Sequence, residues 1–246
     1  TALQEGFVCS GQRSSHRRRR HGNSARHRPS SQLIVYSQNH DQIGNRAFGD
    51  RLTTLVSFEA LKVAAATVLL APNTPLLFMG EEYGETAPFQ YFIDHGDQSL
   101  VEAVRKGRRE EFAAFGWADV PDPQAPATFE RSRIHPGKAD TPEQSALLDW
   151  YRTLIRLRKT VAALGTADAS TYGHLVRAHA SETVVSVHRW TADGQEVLLI
   201  LGFNSTPVFV ILREPVGQWH IRLNSSSRAF GGHDQPFCDG DIHDFG

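Results

Sequence analysis

The stretch whose reading decides the fold opens Leu33-Ile34-Val35-Tyr36-Ser37-Gln38-Asn39-His40-Asp41-Gln42-Ile43-Gly44-Asn45. It closes Thr74-Pro75-Leu76-Leu77-Phe78-Met79-Gly80-Glu81-Glu82-Tyr83-Gly84-Glu85. Leu33 to Tyr36 is a run of strand formers after a polar loop, which predicts a buried strand with Gln38 to Asn45 at its C-terminal end. Between Ser57 and Leu70, Phe58, Leu61, Ala65, Val68 and Leu69 recur at helical spacing until Pro72 stops the helix. Thr74 to Met79 is apolar again, with Pro75 near its start and a polar tip from Gly80 to Glu85. Strand, polar tip, helix, strand, polar tip is the rhythm of a parallel β/α sheet covered on both faces.

Downstream, Ser99 to Phe115 reads as a charged helix and Gly116 to Gly137 as an irregular, Pro-rich passage. Ser145 to Leu164 reads as an amphipathic helix with Leu147, Leu148, Tyr151, Leu154, Ile155 and Leu157 inward. Arg152, Arg156, Arg158 and Lys159 are expected to face water. After Gly165 the period becomes alternating, and Leu175-Val176, Val184–Trp190, Val197–Phe203, Val208–Leu212 and Trp219–Leu223 are candidate strands. Turns at Asp193-Gly194, Asn204–Pro207 and Pro215-Val216-Gly217 separate them. The expected organisation is therefore one α/β region over 1–165 and a small antiparallel β domain over 166–246.

Composition is that of a globular protein, with 40% hydrophobic and 22% charged residues. No run approaches the roughly 20 apolar residues of a membrane helix, and Thr1 to Glu5 lacks a leader pattern, so no membrane partner and a cytoplasmic location are expected. Thr1 also reads as the middle of a longer sequence. Cys9 and Cys238 sit outside any CxxC or metal-ligand spacing and are expected to be free thiols, with no metal and no cofactor. Seven arginines crowd between Gln12 and Arg28 with no acid among them. Their Ser, Gly, Asn and Pro neighbours, without aromatics, fit a solvated loop better than a nucleic-acid surface, and no nucleic-acid partner is expected.

Asn39-His40-Asp41 at a strand end resembles the motif closing strand seven of the alpha-amylase family barrel. The longer string Gln38-Asn39-His40-Asp41-Gln42-Ile43-Gly44-Asn45-Arg46-Ala47-Phe48-Gly49-Asp50-Arg51-Leu52 resembles the trehalohydrolases and glycogen branching enzymes of that family. Phe78 to Phe92 is similar to the segment after barrel strand eight in the trehalohydrolase group, and Val104 to Phe112 to that group's following helix. Glu5-Gly6-Phe7-Val8 looks like the same family. The resemblance covers nearly the whole chain. It implies the last strands and helices of a (β/α)8 TIM barrel over 1–165, followed by a small antiparallel β-sandwich domain.

The activity implied is retaining hydrolysis of the α-1,4 bond beside the trehalose end of maltooligosyltrehalose. Such chemistry uses two carboxyls about 5–5.5 Å apart, and the family adds a third, which the resemblance assigns to Asp41 as transition-state stabiliser. His40 would hydrogen-bond the same sugar. Asn39, Gln42, Glu81, Glu82 and Tyr83 are the further substrate-binding candidates at the strand ends, where a barrel places its site. Residue chemistry alone also permits Asn39 and Asp41 as caps of a turn, and Glu81 and Glu82 as loop charges. Asn45 reads as a left-handed turn residue or a supporting group, and Arg46 as a supporting group or the partner of an acid. Phe89, Tyr91 and Phe92 read as sugar platform or core. The family's nucleophile string, Asp-Gly-x-Arg-x-Asp-Ala, and its acid/base Glu are not found, so the chain alone is expected to be inactive; with only the last two barrel strands, leaving sheet edges and helix faces uncovered, it is also expected to fold poorly. The β domain likewise lacks an expected final strand. The alternatives are a branching enzyme acting on α-1,4-glucan and a non-catalytic sugar-binding fragment; oligomeric state is not readable.

Overall fold

The computed structural model describes residues 2–113, 116, 120–136, 139–165, 172–212 and 217–233, and the backbone of 242–245. The helices are α1 (Ala2–Glu5), α2 (His40–Gly44), α3 (Leu52–Leu55), α4 (Phe58–Leu69), α5 (Gln98–Ala113), α6 (Pro126–Arg131) and α7 (Pro142–Thr160). The strands are β1 (Arg13–Ser14), β2 (Arg19–Arg20), β3 (Ile34–Val35), β4 (Thr74–Pro75), β5 (Tyr172–His179), β6 (Val184–Thr191), β7 (Glu196–Gly202), β8 (Gly217–His220) and β9 (Ile242–Phe245). Contacts divide the chain into two units: Thr1–Tyr36, Lys62–Leu76 and Asp149–Gly246 form the first, and Ser37–Leu61 with Leu77–Leu148 the second. Residue 166, Phe115, Cys238 and the Pro215-Val216 turn lie outside the described residues. Cys9 is free.

In the first unit β3 and β4 pair in parallel, Ile34 opposite Thr74 and Val35 opposite Pro75. The ladder is shorter than the apolar runs predict. Thr74 N donates to Leu33 O at 3.0 Å and Leu76 N to Val35 O at 2.8 Å, and the pairing ends there. The expected burial of this pair is corrected as well: Ile34, Tyr36 and Leu76 are exposed, because no further strand flanks the pair among the described residues. β5, β6 and β7 form an antiparallel sheet in that order, and β8 pairs antiparallel with β9, a strand the sequence reading did not place. Val208–Leu212 is not a strand, and Phe209 is 101% exposed.

Buried and half-buried cations of this unit donate to backbone carbonyls. Lys62, fully buried, donates to Ser225 O and Phe230 O, while Trp150 Nε1 donates back to Lys62 O at 2.9 Å. Arg189 reaches Leu70 O, Leu164 O and Gly165 O. Arg158, expected in water, instead donates to Leu69 O, Ala71 O and Asn73 O. Leu69 is the last residue of α4, and its carbonyl is one of the acceptors that a helix C-terminus leaves over. Burial first, and then the charge of Arg158, lower the Arg189 pKa to about 10.

In the second unit, Asp97 Oδ1 accepts from Ser99 N at 2.8 Å at the start of α5. The Pro-rich passage is not wholly irregular: Pro126 starts α6, since its fixed φ and missing N–H suit the first helical turn. Thr141 and Gln144 form a capping pair that starts α7 earlier than the sequence reading, Gln144 N donating to Thr141 Oγ1 and Thr141 N to Gln144 Oε1.

Candidate active site

The second unit carries the candidate residues on two segments, 38–52 and 78–92. After Gln38 the chain turns into α2 through a capping box. Asn39 Oδ1 accepts from Asp41 N at 2.8 Å, and Gln42 Oε1 accepts from Asn39 N at 3.1 Å. Asn39 and Gln42 therefore spend their oxygens on the helix start, and their amide NH2 groups are what they offer a ligand. His40 and Asp41, on the first turn, keep 69% and 66% of their side chains exposed, with Nε2 to Oδ1 at 3.4 Å. Ile43 and Gly44 bury the opposite side of the turn. Asn45 is the C-cap at φ −84°, not left-handed, and Arg46 Nε pairs with Asp50 at 3.2 Å.

On the second segment Gly80 and Gly84, at φ 85° and 69°, bracket a 3-10 turn of Glu81–Tyr83. The turn separates the two adjacent glutamates. Glu81 is buried, its Oε2 accepting from Phe78 N at 3.1 Å and from Gln38 Nε2 at 3.3 Å. Glu82 is half-buried with no side-chain hydrogen bond among the described residues. Tyr83 is 6% exposed, and its hydroxyl faces Glu85 Oε2 at 3.4 Å. Burial, then the Glu85 charge, raise its pKa.

Sequence reasoning missed the residues that organise this loop. Glu85, 3% exposed, accepts from Thr86 N, Ala87 N and His135 N at 2.7–2.9 Å. Burial pushes its carboxyl up, but these donors together outweigh burial and hold it below the ordinary value of 4.5. Arg51, 1% exposed, donates through Nε to Ala87 O at 2.5 Å and through Nη1 to Met79 O at 2.8 Å, with its guanidinium 5.0 Å from the Phe78 ring centre. Burial is the main cause lowering its pKa. Gln38 closes the network, its Oε1 accepting from Leu52 N at 2.9 Å. No local pattern singles them out: Gln38 lies between Ser37 and Asn39, Arg51 follows Asp50, and Glu85 lies between Gly84 and Thr86.

The aromatics divide as well. Phe89 packs edge-on against Phe78 and Phe92 at 5.3 and 6.0 Å, and Phe92 against Phe129 at 5.2 Å. Arg108 covers the face of Tyr91 at 4.8 Å. Beside the loop, Tyr83, Glu85, Thr86, His135, Asp140 and Gln144 line a polar cavity of about 290 Å³. No group of His, Cys, Asp and Glu among the described residues is arranged to hold a metal ion.

These residues put carboxylates, an imidazole and amides on two segments joined by hydrogen bonds. No family model matches the chain. A crystal structure of a candidate alpha amylase from Salmonella typhimurium superposes with a TM-score of 0.76 at 39% identity, covering 88% of this chain and 36% of that one. By sequence and fold the chain is of the alpha-amylase type of glycoside hydrolase.

Within that class it falls with the malto-oligosyltrehalose trehalohydrolases, which are glycosidases. The Rhizobium sp. (strain M-11) enzyme is 48% identical over 177 residues, which is 68% of this chain and 29% of the relative. That of Saccharolobus solfataricus is 42% identical over 153 residues, 62% of this chain and 26% of the relative. The chain thus spans under a third of the length of the curated relatives it matches.

Proposed function

We propose that this chain is the C-terminal part of an enzyme that hydrolyses the α-1,4 bond adjoining the trehalose end of maltooligosyltrehalose, with retention. In this reading residues 1–165 supply the last strands and helices of a (β/α)8 barrel, β3 and β4 among them, and 166–246 supply a small β domain. The exposed apolar residues Ile34, Tyr36 and Leu76 suit a sheet with further strands beside it. The observation that carries the functional reading is the exposed His40–Asp41 pair, held by a capping box on a segment braced to the Glu81–Glu85 loop.

Two carboxyls outside these residues do the covalent chemistry in this account. A nucleophilic carboxylate bonds to the anomeric carbon as the glycosidic C–O bond breaks, and a carboxylic acid gives its proton to the departing trehalose oxygen. Water, deprotonated by the same acid/base group, then displaces the enzyme carboxylate. Asp41 accepts hydrogen bonds from ring hydroxyls that strengthen as the ring flattens toward an oxocarbenium ion, and His40 binds the same ring. Glu82 accepts a further hydroxyl, and the amides of Asn39 and Gln42 donate. Tyr83, buried on Glu85, acts behind these groups. The setting in this reading is cytoplasmic.

The test is product analysis with maltooligosyltrehalose as substrate. The full-length protein that carries this chain releases trehalose, and the purified 246-residue chain does not. Formation of α-1,6 branches from α-1,4-glucan, with no trehalose, would replace this reading with that of a branching enzyme. Binding of maltooligosaccharide by full-length protein with no turnover would make it a sugar-binding protein.

A further inference from the structure

We propose that the buried Gln38–Glu81 pair is the device that positions Asp41, and that Glu81 acts through this bond rather than by touching sugar. The inference rests on the reading that Asp41 acts on the bound ring. Gln38 and Glu81 are each 5% exposed. Gln38 Nε2 donates to Glu81 Oε2 at 3.3 Å, while Gln38 Oε1 accepts from Leu52 N at 2.9 Å. Glu81 Oε2 also accepts from Phe78 N at 3.1 Å. The segment entering α2, the start of α3 and the end of the apolar run before Gly80 are thereby joined through two side chains.

Gln38 is followed directly by Asn39, whose Oδ1 holds Asp41 N at 2.8 Å. Only backbone and one cap bond stand between the brace and Asp41, so a shift of Gln38 turns the first turn of α2 and carries Asp41 with it. A hydrogen bond to a buried carboxylate is stronger and more directional than one between neutral groups. Arg51 supports the same closure by donating to Met79 O and Ala87 O at the two ends of the loop that holds Glu81. Catalysis is steeply sensitive to such placement: an error of about 1 Å costs on the order of 100-fold in rate.

The experiment uses the full-length protein that carries this chain, assayed for trehalose release well below its melting temperature. Glu81→Gln is expected to lower kcat about tenfold or more with KM within about threefold, the pattern of a group felt only in the transition state. Adding Gln38→Glu reverses the polarity of the bond. The carboxylate introduced at position 38 accepts from Leu52 N and from the amide introduced at 81, whose oxygen accepts from Phe78 N. The pair is expected to return kcat to within about threefold of wild type.

An unchanged kcat in Glu81→Gln overturns the proposal, as does a rise in KM alone, which would make Glu81 a sugar ligand. A pair no better than the single variant also overturns it. Should Glu81→Gln not fold, a folded and active pair supports the brace and an unfolded pair overturns it. A wild type without trehalose release is a failure of the functional reading instead. The brace is then read from amide exchange at Leu52 and Phe78, expected to quicken about tenfold in Glu81→Gln and to recover in the pair; unchanged exchange overturns it.

Discussion

The carboxylates of this region differ sharply in exposure. Asp41 is two-thirds exposed on the first turn of α2, whereas Glu81 and Glu85 are buried and already supplied with donors. Asp41→Asn keeps the shape and removes the acceptor charge, so trehalose release by the full-length protein is expected to fall roughly 100- to 1000-fold with the melting temperature nearly unchanged. A loss under about threefold would remove Asp41 from the chemistry. Glu85 gives a pH signature instead. Its folded pKa lies below the ordinary 4.5, so its contribution to stability is complete above that value and is lost as pH falls through the folded pKa. Urea midpoints measured downward from pH 5 should drop less steeply in Glu85→Gln than in wild type; parallel curves would contradict this. The strand-end string marks His40 and Asp41 as candidates, and both side chains are exposed. It did not show that Glu81 turns inward while Glu82 stays half-exposed, because a 3-10 turn between two left-handed glycines sets that choice, and neither residue's identity encodes it.

At the scale of elements, local chemistry was largely legible where one residue decides the outcome. The α4 pattern ended before Pro72 as expected, and the Asp193-Gly194 turn joins β6 to β7 with Gly194 at φ 89°. Asn39→Ala removes the cap of α2 and is expected to cost about 1 kcal/mol of stability by chemical denaturation. Gly49 shows what pattern reading misses. At φ 68°, a Cβ there would lie 2.5 Å from the Phe89 carbonyl carbon, and Gly49 O accepts from Phe89 N at 2.8 Å. Gly49→Ala therefore combines a left-handed penalty with a backbone clash, and a loss above about 2 kcal/mol is expected. A loss of a few tenths would mean that the two segments are not packed this closely. The strands were over-read where partners decide the outcome: Val208–Leu212 has the composition of a strand but no ladder, and β3 and β4 pair over two residues each although both lie in longer apolar runs.

For the molecule as a whole, long-range polar contacts were the least legible layer. Arg158 sits in a basic stretch whose period points it to water, yet it binds carbonyls at 69, 71 and 73. Arg189, in a strand of alternating pattern, binds carbonyls at 70, 164 and 165. Such contacts depend on which chain ends fold beside each other, which no local window contains. Arg189→Lys keeps the charge but loses the planar fork, and about 2 kcal/mol of the first unit's stability should go with it. The chain shares its family with the malto-oligosyltrehalose trehalohydrolases over 26–29% of their length, and trehalose release belongs to the whole protein in the reading proposed above. Its most direct measurement is the product formed from maltooligosyltrehalose by the full-length protein that carries this chain, in wild-type and Asp41→Asn forms. The account predicts free trehalose from the wild type and a roughly 100- to 1000-fold slower release from the variant. No trehalose from the wild type, or equal rates from both, would contradict it.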